Sequence, residues 1–77
     1  MNQAQQYKTW ESLPDTLTAI HIAQFLGISR KTVYELFKLN VEHGGIPNFD
    51  IGSSKRVEKA DLAAWIHNQK QKKAQAM

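Results

Sequence analysis

The sequence predicts a small, mostly α-helical domain that carries one short β-hairpin, in the order helix, turn, helix, hairpin, helix. Two observations support this prediction. Apolar residues recur at helical spacing in three separate stretches, and each of the first two stretches follows a hydroxyl residue that can cap a helix. Between the second and third stretches the spacing changes to alternation on either side of a glycine, which is typical of a hairpin.

The first helix is predicted over residues 19–26. The Thr18 hydroxyl can cap its start, and Gly27 stands where the chain leaves the helix in a conformation that is costly for residues with a Cβ. The side chains expected to be buried lie at helical spacing and are Ala19, Ile22, Ala23 and Leu26. His21, at the third helical position where a capping partner often lies, and Gln24 are expected to face outwards.

The second helix is predicted to begin after Ser29, whose hydroxyl can cap it. Its expected buried stripe is Val33, Leu36, Phe37 and Val41, and its opposite, mostly cationic face is Lys31, Tyr34, Glu35 and Lys38. We expect Glu35 to pair with Lys31 one turn earlier; the alternative is that it accepts a hydrogen bond from a cytosine amino group. The run His43-Gly44-Gly45 is expected to end the helix, and Pro47 prevents it from continuing.

The hairpin is predicted from the alternation of Phe49 and Ile51 with polar residues, followed by a turn over residues 52–54 and a second extended run over residues 55–57. Val57 is expected to point inwards together with Phe49 or Ile51. Because two strands alone are only marginally stable, the hairpin is expected to pack on the helices. A hairpin placed directly after two such helices forms a wing, and the predicted fold is therefore a winged helix-turn-helix.

The last helix is predicted over about residues 59–69. Its apolar residues at helical spacing are Leu62, Ala63, Trp65 and Ile66, and Asp61 lies near the positive N-terminal end of the helix. Trp65 is expected to make the largest contribution to the core.

Three segments are predicted: a flexible N-terminal arm over residues 1–12, the winged helix-turn-helix domain over residues 13–69, and a basic, flexible tail over residues 70–77. Tyr7, Trp10 and Leu13 recur at a spacing of three. This spacing suits either a helical turn or an arm that lays aromatic side chains on the domain, and we favour the arm. Pro14 ends any helix at this point.

Composition narrows the class of protein. With 77 residues, of which 42% are hydrophobic, the chain has room for one small domain. It has no cysteine, and its three histidines lack the paired spacing of a zinc site, so no disulfide, metal or cofactor is expected. No signal pattern opens the sequence and no apolar run approaches the roughly 20 residues that span a bilayer, so a cytoplasmic protein is expected.

An enzyme is not expected. Catalysis needs a nucleophile or paired acids in a cleft, whereas Asp15, Asp50 and Asp61 belong to separate elements of a domain too small to enclose a substrate. Because the domain is too small to enclose a substrate, no small-molecule ligand is expected either.

The charge is positive and unevenly distributed. The net charge is +3, and residues 1–15 are slightly acidic. The cationic surplus lies beyond residue 46, in Lys55, Arg56, Lys59, Lys70, Lys72 and Lys73. The positive electrostatic potential that attracts an anionic partner therefore comes from the second half of the chain.

Four stretches in order carry a family resemblance: Leu17-Thr18 with Phe25-Leu26-Gly27, then residues 28–34, residues 46–49 and residues 60–66. Over about residues 17–66 the chain resembles the small winged helix-turn-helix proteins of the excisionase family, relatives of the DNA-binding domains of mercury-resistance-type regulators. Residues 38–45 form a longer connection than the family usually has, so the second helix is expected to extend by a turn. Ser53 and Ser54 stand at the wing tip, where the family commonly has arginine or aromatic residues.

The resemblance implies a sequence-specific, double-stranded DNA-binding protein of a mobile element or prophage. It implies either a recombination directionality factor, with an integrase or further copies of itself as partners on DNA, or a transcriptional regulator that uses the same surface. A third hypothesis is a protein-interaction module. The second helix is expected in the major groove and the wing along an adjacent minor groove or backbone.

The DNA contacts are expected from the start and outer face of the second helix and from the wing. Neighbouring strand residues face opposite ways, so at most one of Lys55 and Arg56 is expected to face DNA from the strand itself, and the resemblance favours Arg56. The full set of candidate residues is Ser29, Arg30, Lys31, Thr32, Tyr34, Lys38, Lys55 and Arg56.

Overall fold

Three helices and a small antiparallel sheet form the fold. The computed structural model describes residues 8–75. The helices are α1 (Ala19–Leu26), α2 (Arg30–Lys38) and α3 (Lys59–Gln75), and the strands are β1 (Thr16–Leu17), β2 (Phe49–Ile51) and β3 (Ser54–Glu58). Single 3-10 turns lie at Trp10–Ser12 and Val41–His43. This arrangement confirms the predicted fold class.

Local capping explains the limits of α1. The Thr18 hydroxyl accepts a hydrogen bond from the His21 backbone N–H at 3.4 Å, and the His21 Nδ1 atom accepts one from the Thr18 backbone N–H at 2.9 Å. At the other end Gly27 has a φ of 72°, in the left-handed region, and its N–H donates to the Ala23 carbonyl. These reciprocal caps place α1 where the sequence predicted it.

The sheet has the strand order β1-β3-β2, so β3 lies in the middle. Strand β1 pairs with the end of β3 through Thr16 opposite Glu58 and Leu17 opposite Val57. The sequence did not predict β1, because two residues are too short to show alternation. This strand attaches the segment before α1 to the hairpin and so joins the wing to the helices.

The hairpin turn has two residues, Gly52 and Ser53, rather than the three predicted. This register places Phe49 opposite Arg56, on the face of β3 that Val57 does not share. Val57 is fully buried, whereas Phe49 is 44% and Ile51 57% exposed. The expectation that one of them points inwards with Val57 was therefore wrong.

The core is formed by side chains from all the helices and from the sheet. Its buried members are Leu13, Leu17, Ala19, Ile22, Ala23, Val33, Phe37, Ile46, Val57 and Leu62. Trp65 is only partly buried at the edge of this cluster, so Leu62 rather than Trp65 is the central contribution of α3. Ala63 is exposed.

Helix α2 ends at Lys38, so the predicted extra turn does not form. Leu39 adopts an extended conformation, and the Asn40 side chain accepts from the Glu42 N–H and caps a separate 3-10 turn. The chain then reverses, the Ile46 N–H donates to the Leu36 carbonyl at 3.0 Å, and Ile46 enters the core. Val41, predicted to be buried, is 57% exposed.

Within the described residues, Trp10 packs on the domain and α3 extends past its predicted end. The Trp10 ring packs edge-on against Phe25 at 5.5 Å between centroids, and the Lys59 Nζ atom lies 5.1 Å from the centre of the Trp10 ring. Residue Tyr7 lies outside the described residues. At the other end α3 continues beyond residue 69 to Gln75, because lysine, glutamine and alanine are good helix formers.

Candidate nucleic-acid interface

The first turn of α2 presents two cations beside a capped helix start. The Ser29 hydroxyl accepts from the Thr32 backbone N–H at 3.1 Å and lies 2.9 Å from the Thr32 hydroxyl. Arg30 and Lys31 are exposed, and neither belongs to a salt bridge within residues 8–75. Their charges therefore add to the positive potential of the helix start, which attracts anions.

The rest of the outer face of α2 is polar and accessible. Tyr34 is 47% exposed, and its ring packs edge-on against the buried Phe37 at 5.8 Å. Lys38 and Glu35 are also exposed. The predicted pair between Glu35 and Lys31 does not form, which agrees with the small gain from joining two hydrated surface charges.

A groove of about 220 Å³ joins α2 to the wing, which we define as the β2–β3 hairpin, residues 49–58. Three elements line it: the start of α1, one residue of α2 and the wing. The lining residues are Thr18, Ala19, Ile20, Tyr34, Ser53, Ser54, Lys55 and Arg56. We call this the wing groove. It brings together Tyr34, Lys55 and Arg56, three of the residues that the sequence predicted to contact DNA.

The two wing cations differ in their partners. The Lys55 Nζ atom lies 2.8 Å from the Asp50 Oδ1 atom, across the hairpin. The Arg56 Nη1 atom donates to the Lys55 carbonyl at 3.1 Å. Both residues line the wing groove, although they alternate along β3 and the register places Lys55 on the Val57 face and Arg56 on the opposite face. That at most one of them faces DNA from the strand stays a prediction.

Comparison with protein families gives a match to the helix-turn-helix domain over residues 16–70. The chain belongs to the helix-turn-helix domain family. Membership in this family indicates that the protein binds double-stranded DNA, and helix-turn-helix domains are typically not enzymes. Comparison with curated proteins and comparison with solved structures each found no match.

His21 lies at the start of the helix-turn-helix, where the charge of Arg56 on the wing acts on it. Its Nδ1 atom accepts from the Thr18 N–H, so the proton of the neutral ring is on Nε2. Burial lowers the pKa of His21 below 6.5, and the positive charge of Arg56 lowers this pKa further. The ring is half-buried rather than outward-facing as predicted.

A second groove, of about 510 Å³, lies on the other side of α1 in the helix-turn-helix. It is lined by Lys8, Ile20, Ala23, Gln24, Gly27, Ile28 and Arg30. Arg30 is thus separated from the wing groove by Ile20, which borders both grooves and is 45% exposed. Gln24, predicted to face outwards, is half-buried, and its Oε1 atom is buried without a hydrogen-bond partner.

The structure adds residues to the helix-turn-helix surface that the sequence did not indicate. Thr18, Ile20, Ser53 and Ser54 line the wing groove beside the predicted contacts. The one signal in the sequence was Ile20, an apolar residue outside the buried stripe of α1. The hydroxyls gave no signal, since serine and threonine are common in caps and turns whatever the function.

Two further features are absent from residues 8–75. No group of three or more histidine, aspartate or glutamate side chains could hold a metal ion there. No helix in that part of the chain is both long and apolar enough to cross a membrane.

Proposed function

We propose that the protein recognises specific double-stranded DNA sites with two probes: the outer face of α2 in the major groove and the wing along the adjacent backbone or minor groove. The wing groove carries this proposal, because in it the start of α1, Tyr34 and Arg56 converge on one space. A DNA backbone lying there would meet hydroxyl donors and a guanidinium, which are the groups that bind phosphates.

The proposed contacts divide by role. Lys31 and Arg30 supply positive charge at the start of α2, where a recognition helix meets base edges and phosphates. In the same turn, one of the Ser29 and Thr32 hydroxyls can donate to phosphate, whereas the Thr32 backbone N–H is held by the Ser29 hydroxyl oxygen. Lys38, at the far end of the exposed face, extends the contact along the backbone. Arg56 holds a second stretch of backbone from the wing.

The size of this surface sets its affinity and specificity. About three to five phosphates would be neutralised, so affinity is expected to fall steeply as salt rises. One such domain reads few base pairs. Useful specificity therefore requires several copies on DNA or a DNA-bound partner such as an integrase.

Among the roles open to such a DNA-binding domain, we infer a recombination directionality factor. The support is the resemblance of residues 17–66 to excisionases. In this role the protein performs no chemistry; it positions and bends recombination-site DNA so that an integrase assembles for excision. A transcriptional regulator would use the same surface. The neighbouring genes separate the two roles: an adjacent integrase gene would support the recombination role, which excision reactions with that integrase then test, whereas activity on a promoter reporter without such a gene would support the regulator.

The DNA-binding surface is tested by fluorescence anisotropy of a labelled generic duplex at about 50 and about 150 mM salt. The test variant is Lys31→Ala/Arg56→Ala, and the matched control is Lys72→Ala/Lys73→Ala, which removes the same charge from exposed positions on α3. We expect the wild type and the control to bind alike. The test variant should bind more weakly, with a log–log salt slope shallower by about 1.8.

Two results would contradict the proposal. If the control loses as much affinity as the test variant, binding depends on net charge and not on this surface. If no protein binds the duplex even at low salt, the surface serves another partner, and a protein-interaction module becomes the better hypothesis.

A further inference from the structure

An ion pair between Lys55 and Asp50 links the two strands of the hairpin. The strand register places these two residues directly opposite each other on β2 and β3, and the Nζ–Oδ1 distance is 2.8 Å. Side chains opposite each other on one face of an antiparallel pair are held within contact distance by the backbone. The two-residue turn therefore keeps Asp50 and Lys55 within reach of each other, and their side-chain rotamers close the ion pair.

This pair lies at the edge of the proposed DNA contact. Lys55 lines the wing groove, whereas Asp50 is not among the residues that line it. The Asp50 carboxylate thus holds the Lys55 ammonium from a position outside the groove. While the pair is closed, the two charges cancel and Lys55 adds little attraction for a phosphate in the groove. Arg56, which has no carboxylate partner among the described residues, keeps its full charge.

We propose that Asp50 competes with DNA phosphate for Lys55 and thereby limits the affinity of the wing for DNA. This inference rests on the proposed function. The pair is solvent-exposed, with side chains 38% and 60% accessible for Lys55 and Asp50, so it is weak enough for a phosphate to break. Lys55 contributes its full charge to phosphate binding only when the pair opens.

The consequence is a lower affinity for DNA of any sequence. Contacts between cations and phosphates supply most of the affinity for non-specific DNA. A carboxylate that withdraws one cation therefore lowers this sequence-independent term. The same phosphate contact is available in specific and non-specific complexes, so the pair lowers the affinity for both, and the base contacts made by α2 alone decide between sequences.

A double-mutant cycle tests the proposal on the generic duplex. Asp50→Asn keeps the shape of the side chain and releases Lys55. We expect this variant to bind about three- to tenfold more tightly at low salt, with a salt slope steeper by about 0.9. Lys55→Gln alone should change affinity by less than about twofold, and Asp50→Asn/Lys55→Gln should return to the wild-type value.

Glu42→Gln is the matched control, because it removes one exposed carboxylate from the 3-10 turn at Val41–His43, away from the wing groove. It should bind within about twofold of the wild type. Circular dichroism of each variant, with its thermal unfolding curve, establishes that the folded proteins are being compared.

Three results would overturn the inference while leaving the proposed function intact. An equal gain from Asp50→Asn when Lys55 is already replaced would show simple repulsion between Asp50 and DNA. Weaker binding by Asp50→Asn would show that Asp50 contacts a base directly, and unchanged binding would show no competition. If the wild type binds no duplex at all, the proposed function fails, and this inference fails with it.

Discussion

His21 caps the start of α1 only while its Nδ1 atom is unprotonated, because that atom accepts the Thr18 N–H. Burial and then Arg56 lower the pKa of His21 below 6.5 in the folded protein. The unfolded chain therefore binds a proton more readily than the folded chain. The stabilisation is complete above pH 6.5 and is lost as the pH falls through the folded-state pKa.

We predict that the free energy of unfolding of the wild type falls between about pH 7 and pH 5 more than that of His21→Gln. Glutamine at this position keeps a capping acceptor but does not titrate. Urea unfolding of both proteins across this range measures the difference. Carboxylates titrate in both proteins, so their effect on the unfolding free energy cancels in the comparison. Parallel pH profiles would show that the cap does not depend on the charge of His21.

Gly45 shows a different constraint on a single residue. Its φ is not in the left-handed region, so backbone conformation alone would allow alanine. However, a Cβ on Gly45 would collide with the Leu39 carbonyl oxygen, where the chain reverses after α2.

We predict that Gly45→Ala lowers the free energy of unfolding by about 1–3 kcal/mol, because the colliding atoms belong to the backbone and cannot rotate away. Ser53→Ala, at an exposed turn position, is the control and should be nearly neutral. Urea unfolding compares them. Equal midpoints for the two variants would show that the reversal has room for a side chain.

At the scale of elements, α3 is tied to the loop after α2 by one hydrogen bond. The Trp65 Nε1 atom donates to the Gly44 carbonyl at 2.9 Å. Trp65→Phe keeps an aromatic ring but removes the donor. We predict a loss of about 1–3 kcal/mol in unfolding free energy.

Val41→Ala is the control for this loss, since Val41 belongs to the same loop and is 57% exposed. It should change the unfolding free energy by less than about 0.5 kcal/mol. Thermal unfolding followed by circular dichroism measures both variants. A Trp65→Phe variant as stable as Val41→Ala would mean that the loop is held without this bond.

The elements that could be predicted from sequence are those determined by local chemistry. Thr18, Gly27 and Ser29 cap α1 and α2 through atoms only a few residues away, so their positions follow from the sequence. Strand β1 depends on pairing with β3, which lies far along the chain, and two residues carry no pattern of their own. The outward direction of Phe49 depends on the turn length, and a one-residue difference reverses the face of a strand.

At the scale of the whole molecule, the candidate site was only partly predictable. Residues on the outer face of α2 were found because helical periodicity separates them from Val33 and Phe37. The wing groove depends on where the hairpin docks against the start of α1, which is a tertiary property. Ile20 and Ser53 meet there although they are far apart in the sequence.

The same geometry provides the most direct test that this surface binds DNA: backbone amide NMR shifts of labelled protein titrated with a short duplex. We expect the largest changes at residues 18–20 and 53–56, which line the wing groove, and at residues 29–38, which form α2 and its N-cap. Amides of α3 beyond Trp65 should change little. Changes concentrated on α3, or no changes at low salt, would contradict the assignment of the DNA-binding surface.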